Sequence, residues 1–297
     1  MRSELEATLA AVRENLRSGR QADEGVDAAS WQGLLDRYSH FVDRRDELGF
    51  VTDSEVVVTE LRTPRPCLHL MASARPVEGG AWGSFWDQMG GGFSCLTSVL
   101  AGRMTSHLDT NYVPTAPEPQ DVRGFFIHEQ GHAWPMFPVP YVEEVWYSDY
   151  QCRQGLDRQV LRARRDGLEC ELEVCVPPAL PLETWRVRIT NRGDRLRRFS
   201  WFSHVRVNVD SFPSYYFVPR IVCEGIFEGG VLVFLNHDQN NRHPRPAFFT
   251  AEPRFERYDM SQEVFAGIGG RSTIPAAVQE GRCRNSPGLQ PYAGLIA

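Results

Sequence analysis

The chain contains no lysine: all 32 basic residues among its 297 are arginine. Arginine is the better bidentate partner for carboxylate or phosphate. A compositional bias in the source genome explains so complete an absence more simply, so it assigns no ligand. The seven cysteines (Cys67, Cys95, Cys152, Cys170, Cys175, Cys223, Cys283) include no C-x-x-C pair. That excludes a zinc ribbon, and an odd, scattered set gives no disulfide frame. The expectation is buried reduced thiols in a cytoplasmic protein. No run approaches the ~20 apolar residues of a membrane span, and the N-terminus lacks the basic-then-apolar order of a signal peptide. There is no excess of positive charge. A net charge of −6 and a pI near 5.8 argue against a nucleic-acid partner. G-x-S-x-G is absent. Gly90-Gly91-Gly92 has neither the Lys nor the helix of a phosphate-cradling loop. No internal repeat or low-complexity segment is visible.

What is present is a large apolar inventory. Hydrophobic residues make up 42% and aromatics 11%, enough for a sizeable core in one large β domain or two ordinary ones. Ser3-Glu4-Leu5-Glu6 matches a capping box, and Leu5, Leu9, Val12 and Leu16 then share a helical face. Ser30 caps a second helix with Trp31, Leu34, Leu35, Tyr38 and Val42 on its buried side, stopped by Gly49. Residues 1–50 therefore read as a helical segment or linker, and 51–297 as a β domain.

From Glu55 the hydrophobic period becomes two. Val56-Val57-Val58 reads as a strand, Pro64 and Pro66 mark a non-central segment, and Arg103 to Tyr112 reads as a strand and its exit. Pro114 to Pro119 forms a proline-rich loop that no helix can cross. A hairpin is expected over Val160 to Val176 around Asp166-Gly167, a type I′ pair. Leu168, Cys170, Leu172, Val174 and Val176 face one way; Glu169, Glu171 and Glu173 face the other. The next strand puts Trp185, Val187 and Ile189 inside, with Arg186 and Arg188 placed to meet the Glu row. Asn191 to Asp194 turns the chain into a long, bulged strand through Phe199, Trp201, Val205, Val207 and Val209. A further hairpin closes over Glu228-Gly229-Gly230, and Asp259 to Phe265 reads as a helical turn.

Three polar motifs invite chemistry. His128-Glu129-Gln130-Gly131-His132 is a literal H-E-x-x-H, which in a zinc hydrolase lies on a helix. Here Gly131 sits inside it, Pro135 follows, and Gly124-Phe125-Phe126-Ile127 before it reads as a strand. A strand-turn-strand is expected, and zinc is the weaker alternative. His237 to His243 reads as a solvated loop, with a sugar or metal contact as the alternative. Ser106-His107-Leu108-Asp109 has the residues of a hydrolytic triad, but a triad is defined by geometry rather than proximity in sequence.

The densest stretch is Trp82-Gly83-Ser84-Phe85-Trp86-Asp87-Gln88-Met89-Gly90-Gly91-Gly92-Phe93-Ser94. It has two readings. Aromatic faces beside a carboxylate and an amide suit a sugar ring and its hydroxyls. The other, which composition alone favours, is a buried aromatic strand running into a tight glycine turn. On the first reading the substrate-binding candidates are Trp82, Phe85, Trp86, Asp87, Gln88 and Gly91.

This stretch resembles the Phe-Trp-Asp-Gln-x-Gly-Gly-Gly-Phe-Ser signature of glycoside hydrolase family 94, the cellobiose and chitobiose phosphorylases formerly placed in glycosyltransferase family 36. The related module of cyclic β-1,2-glucan synthases carries it too. Pro64-Arg65-Pro66 with Leu68-His69-Leu70, Tyr150 to Leu156, Trp185 to Asn191, and Pro275 to Val278 follow the family's order. Met89 stands where Thr is common. The resemblance implies a mainly β, antiparallel β-supersandwich of the galactose-mutarotase-like kind, normally followed by a helical barrel that holds the catalytic acid. It further implies inverting phosphorolysis of β-glucosides with inorganic phosphate as co-substrate and no other cofactor. The implied partners are an oligosaccharide or β-glucan, the helical-barrel domain, and a second copy in a homodimer. None of the family's catalytic positions falls within this sequence, so the resemblance carries over no catalytic residue. A stand-alone carbohydrate-binding protein is the alternative. Tyr292 to Ala297 reads as a strand just begun. The expectation is a fragment whose uncovered sheet edge or barrel-facing surface drives association.

Overall fold

The computed structural model describes residues 39–48, 51–61, 67–73, 81–100, 103–111, 123–138, 147–211, 223–236, 246–267, 274–288 and 292–296. In chain order the strands are β1 (Ser39–Arg45), β2 (Val51–Val58), β3 (His69–Ala72), β4 (Ala81–Trp86), β5 (Gly92–Leu100) and β6 (Arg103–Asn111). Then come β7 (Arg123–Glu129), β8 (His132–Pro135), β9 (Ser148–Gln154), β10 (Arg158–Arg165), β11 (Leu168–Cys175) and β12 (Thr184–Asn191). Last are β13 (Ser200–Ser211), β14 (Cys223–Glu228), β15 (Val231–Asn236), β16 (Ala247–Phe249), β17 (Arg257–Asp259) and β18 (Tyr292–Ile296). Among the described residues two short helices, α1 (Gln262–Ala266) and α2 (Ala276–Glu280), precede β18.

The strands form three antiparallel sheets. A six-stranded sheet runs β1-β2-β9-β10-β11-β12. A nine-stranded sheet runs β17-β18-β13-β6-β5-β4-β3, with β7 on β13 and β8 on β7. A three-stranded sheet runs β14-β15-β16. The main core lies between the first two. Val58, Cys152, Leu161, Leu168, Cys170, Leu172 and Val174 from one layer meet Met71, Trp86, Phe125, Ile127 and Trp134 from the other. The far side of β7 and β13 is also dry, because Phe126 and Phe202 pack on Phe265, Ala277 and Val278 of the two helices. The three-stranded sheet covers the second half of β13, with Leu232 and Phe234 on Val205 and Val207.

The period-two pattern finds its physical counterpart in β11. Cys170, Leu172 and Val174 are buried, while Glu171 and Glu173 stand opposite Arg188 and Arg186 in register. Those pairs close at 3.0 and 3.1 Å. Asp166 (φ 48°) and Gly167 (φ 78°) make the two left-handed positions of the type I′ turn. β13 slips register between Val207 and Asp210, the expected bulge.

Several expectations change. Residues 39–45 are a strand hydrogen-bonded to β2, with Val42 opposite Glu55, rather than the end of a helix. A weak helical pattern yields to pairing with a valine-rich neighbour, because tertiary contacts outweigh propensity. The six-stranded sheet thus begins before residue 51. Both expected helices up to residue 38 lie outside the described residues, as do Pro64, Pro66, the 114–119 loop and the 237–243 loop. The turn expected over Asp259 to Phe265 is split: Asp259 ends β17, and the helix starts at Gln262 behind a Ser261 cap. β18 pairs with β13 on one side and β17 on the other, so it is an inner strand and not an open edge.

Candidate functional site at the aromatic and glycine turn

β4 carries Trp82 to Trp86 into a turn spanning Asp87 to Gly91, from which β5 returns. The Asp87 carboxylate closes the turn by accepting the N–H groups of Met89 and Gly91, each at 2.8 Å. Burial pushes the Asp87 carboxyl up, opposed by the N–H groups of Gly91, Met89 and Gly90 and by Arg123. Gly92 (φ 127°) must be glycine, since a Cβ there would run into the carbonyl oxygen of Phe85.

Gln88 is 2% exposed. Its Oε1 accepts the N–H of Cys67 at 2.8 Å, and its amide donates to the carbonyl of Leu61 at 3.1 Å. Its own carbonyl accepts the Tyr150 hydroxyl. Gln159 donates to the carbonyl of Asp87 at 2.7 Å, and Gln154 to that of Cys67 at 2.8 Å. Three stretches far apart in sequence, near 61–69, 87–92 and 150–159, are tied at one locus. These include the stretches that carry the resemblance noted above.

Trp86 is fully buried and meets Trp185 edge-on at 6.0 Å. The Arg123 guanidinium lies 4.0 Å from the centre of a Trp86 ring, a buried cation–π contact. Arg123 donates to the Phe85 carbonyl at 3.1 Å, to Ser94 Oγ, and to Glu183 Oε2 at 3.2 Å. Ser84 also donates to Glu183, as does Ser94 at 2.6 Å, and Trp185 Nε1 donates to its other oxygen at 3.0 Å. A charge buried this deeply is tolerated when its counter-charge and hydrogen bonds surround it.

The six candidate residues are therefore distributed unevenly. Trp86, Gln88 and Gly91 are buried; Trp82, Phe85 and Asp87 are half-buried. Trp82 packs on the main core. Phe85 stands in register with Leu70, which is 52% exposed on edge strand β3. Sequence reasoning missed Arg123, Glu183, Ser84 and Ser94. The one available signal was an arginine heading the apolar strand Gly124 to Ile127, which demands a buried acid. Which of the acids answers it is not written locally.

The H-E-x-x-H stretch is a hairpin: β7 and β8 pair His128 with Ala133 and Glu129 with His132. The two histidines therefore share no helix face. Glu129, the residue that would activate a metal-bound water, is held by Arg197, whose Nε lies at 2.7 Å. Among the described residues no group of three or more His, Cys, Asp or Glu side chains is placed to hold a metal. Ser106 to Asp109 lies along β6.

Residues 54–295 match the family model described as the glycosyl hydrolase 94 supersandwich domain. The chain is 26% identical over 245 residues to the solabiose phosphorylase of Paenibacillus borealis, covering 78% of this chain and 29% of that protein. It is 25% identical over 210 residues to the N,N'-diacetylchitobiose phosphorylase of Vibrio proteolyticus, covering 66% and 24%. A 3-O-beta-D-glucopyranosyl-beta-D-glucuronide phosphorylase of Paenibacillus borealis matches at 26% over 164 residues, 52% of this chain and 20% of the relative. The chain thus spans between a fifth and a third of the length of these relatives. With 54–295 matched and its sheets antiparallel and layered, the chain belongs to the glycosyl hydrolase 94 family through its supersandwich domain.

Proposed function

We propose that this chain is the β-supersandwich module of a glycoside phosphorylase acting on β-glucosides, and that it supplies no catalytic acid itself. The family match over 54–295 carries this reading. The β-glucoside class draws on the relative named for a beta-D-glucopyranosyl substrate. Inverting phosphorolysis needs a carboxylic acid to protonate the leaving oxygen while phosphate attacks from the opposite face. At the signature turn the two carboxylates are otherwise engaged, Asp87 by backbone N–H groups and Glu183 by Arg123 and two serines. On this reading the acid comes from a helical-barrel module. Inorganic phosphate is the co-substrate, the complete enzyme is a homodimer, and it works in the cytoplasm. No helix among the described residues is long and apolar enough to cross a membrane.

The test is phosphorolysis by the purified chain with cellobiose, sophorose and phosphate, read as released glucose 1-phosphate. The expected result is no turnover above buffer. Phosphate-dependent turnover by the chain alone overturns the proposal.

A further inference from the structure

On the solvent side of the six-stranded sheet, β1, β2, β9, β10 and β11 line an open basin of about 480 Å³. Four arginines line it, and four carboxylates match them in number. Its deepest acid, Glu55, is 2% exposed and already receives Arg153 Nε at 2.8 Å and Arg158 at 2.8 Å. The groups around the rim are less committed. Arg162 gives Nη2 to Glu169 at 2.8 Å and retains its other N–H groups. Glu171 and Glu173 each accept an arginine of β12 on Oε1, at 3.0 and 3.1 Å, with the Cys175 thiol also directed at Glu173 Oε1, and keep Oε2. Gln151 stands opposite Arg162 in register, and its amide has no hydrogen-bond partner among the described residues. Half-buried Val160 adds an apolar patch.

Uncommitted donors and acceptors thus alternate around a wall of zero net charge. A phosphate is mainly an acceptor and carries negative charge, which the carboxylates of Glu171 and Glu173 on the same wall would repel. A hydroxyl both donates and accepts, so a ring bearing several hydroxyls can use both kinds of group together, with its C–H face against Val160. We propose that this basin is a saccharide subsite, separate from the signature turn, for a neutral polyhydroxylated ring bound between Gln151, Arg162, Glu171 and Glu173. The basin's own geometry carries it, whatever chemistry the family relatives perform.

The test is calorimetry and saturation-transfer NMR on the full chain with cellobiose, glucose and, separately, inorganic phosphate. Saturable sugar binding is expected with Kd on the order of 1 mM. The double variant Gln151→Ala, Glu173→Gln weakens it about tenfold or more, a loss of about 1.4 kcal/mol, with melting lowered by no more than about 2–4 °C through loss of the Glu173–Arg186 pair. Phe85→Ala leaves sugar binding intact. No saturable sugar signal up to ~50 mM overturns the proposal. So does phosphate binding in the sugar's place, or sugar binding that survives the double variant. Binding abolished by Phe85→Ala instead moves the sugar to the signature turn and also overturns it.

Discussion

Replacing Gln88 by Ala separates the two readings of the signature. The side chain is 2% exposed and makes two hydrogen bonds to backbone, with Cys67 N–H at 2.8 Å and Leu61 C=O at 3.1 Å. Removing it leaves a half-buried donor and a half-buried acceptor without that partner, each costing about 1–2 kcal/mol. The sum is about 3 kcal/mol, with about 5 kcal/mol if the space stays empty. For a domain of this size about 1 kcal/mol moves the melting temperature about 2–4 °C, so a drop of about 6–12 °C is expected. Gln88→Glu refines the test. Its carboxylate can still accept from Cys67 but cannot donate to Leu61, so at neutral pH it rescues little. Half-exposed Phe85→Ala is expected to cost about 1 kcal/mol or less. Urea and thermal unfolding followed by circular dichroism measure all three. If Gln88→Ala melts within about 2 °C of the parent, the amide does not tie the layers together and the reasoning fails.

Two further predictions follow from the same geometry. Glu169, 7% exposed, is held by Arg162, Arg164 and Arg192, which bring its carboxyl down from 4.5 to about 2. Because the folded value lies below the unfolded one, its stabilisation is complete above about pH 4.5 and is lost as pH falls toward 2. The full shift would correspond to about 3 kcal/mol, and the exposure of all three arginines cuts it to about 1–2 kcal/mol. Glu169→Gln should therefore lower stability at pH 7 by that amount and narrow its gap to the parent at pH 3. An unchanged gap refutes it. Gly92→Ala forces a Cβ into the Phe85 carbonyl at φ 127°, so a loss of about 3 kcal/mol or more is expected. Parental stability in urea would show that the turn relaxes freely.

The hairpins were legible because their turn residues are chemically specific. Asp166-Gly167 and Gly229-Gly230 supply the left-handed positions that the connections use. The Glu171–Arg188 and Glu173–Arg186 ladder was legible because a strict period of two fixes which side chains share a face. Residues 39–45 were misread because a seven-residue segment with one or two apolar positions fits either period, and its partner strand decides. The Arg123–Glu183 pair was invisible for another reason. Its members lie 60 residues apart, and nothing local to either names the other. The aromatic signature stayed ambiguous because composition lists polar groups without saying which backbone groups they serve.

That last point bears on why the signature has the composition it does. Apolar burial between two sheets is strong but non-directional, so by itself it leaves their relative slide weakly fixed. Direction comes from the bonds that cross between layers. Tyr150 and Gln159 of the six-stranded sheet donate to the carbonyls of Gln88 and Asp87 in the turn of the nine-stranded sheet. A slide of about 2 Å would break both, and each would leave a buried polar group unmet. Asp87 and the glycines hold the turn in the one shape that offers those carbonyls, and Gln88 anchors the chain before β3 to it. Polar residues are thus placed in the core where geometry, rather than added stability, is what they contribute. The faces of both sheets inherit their relative placement from that lock, so lesions at Gln88 should disturb distant faces as well as the turn.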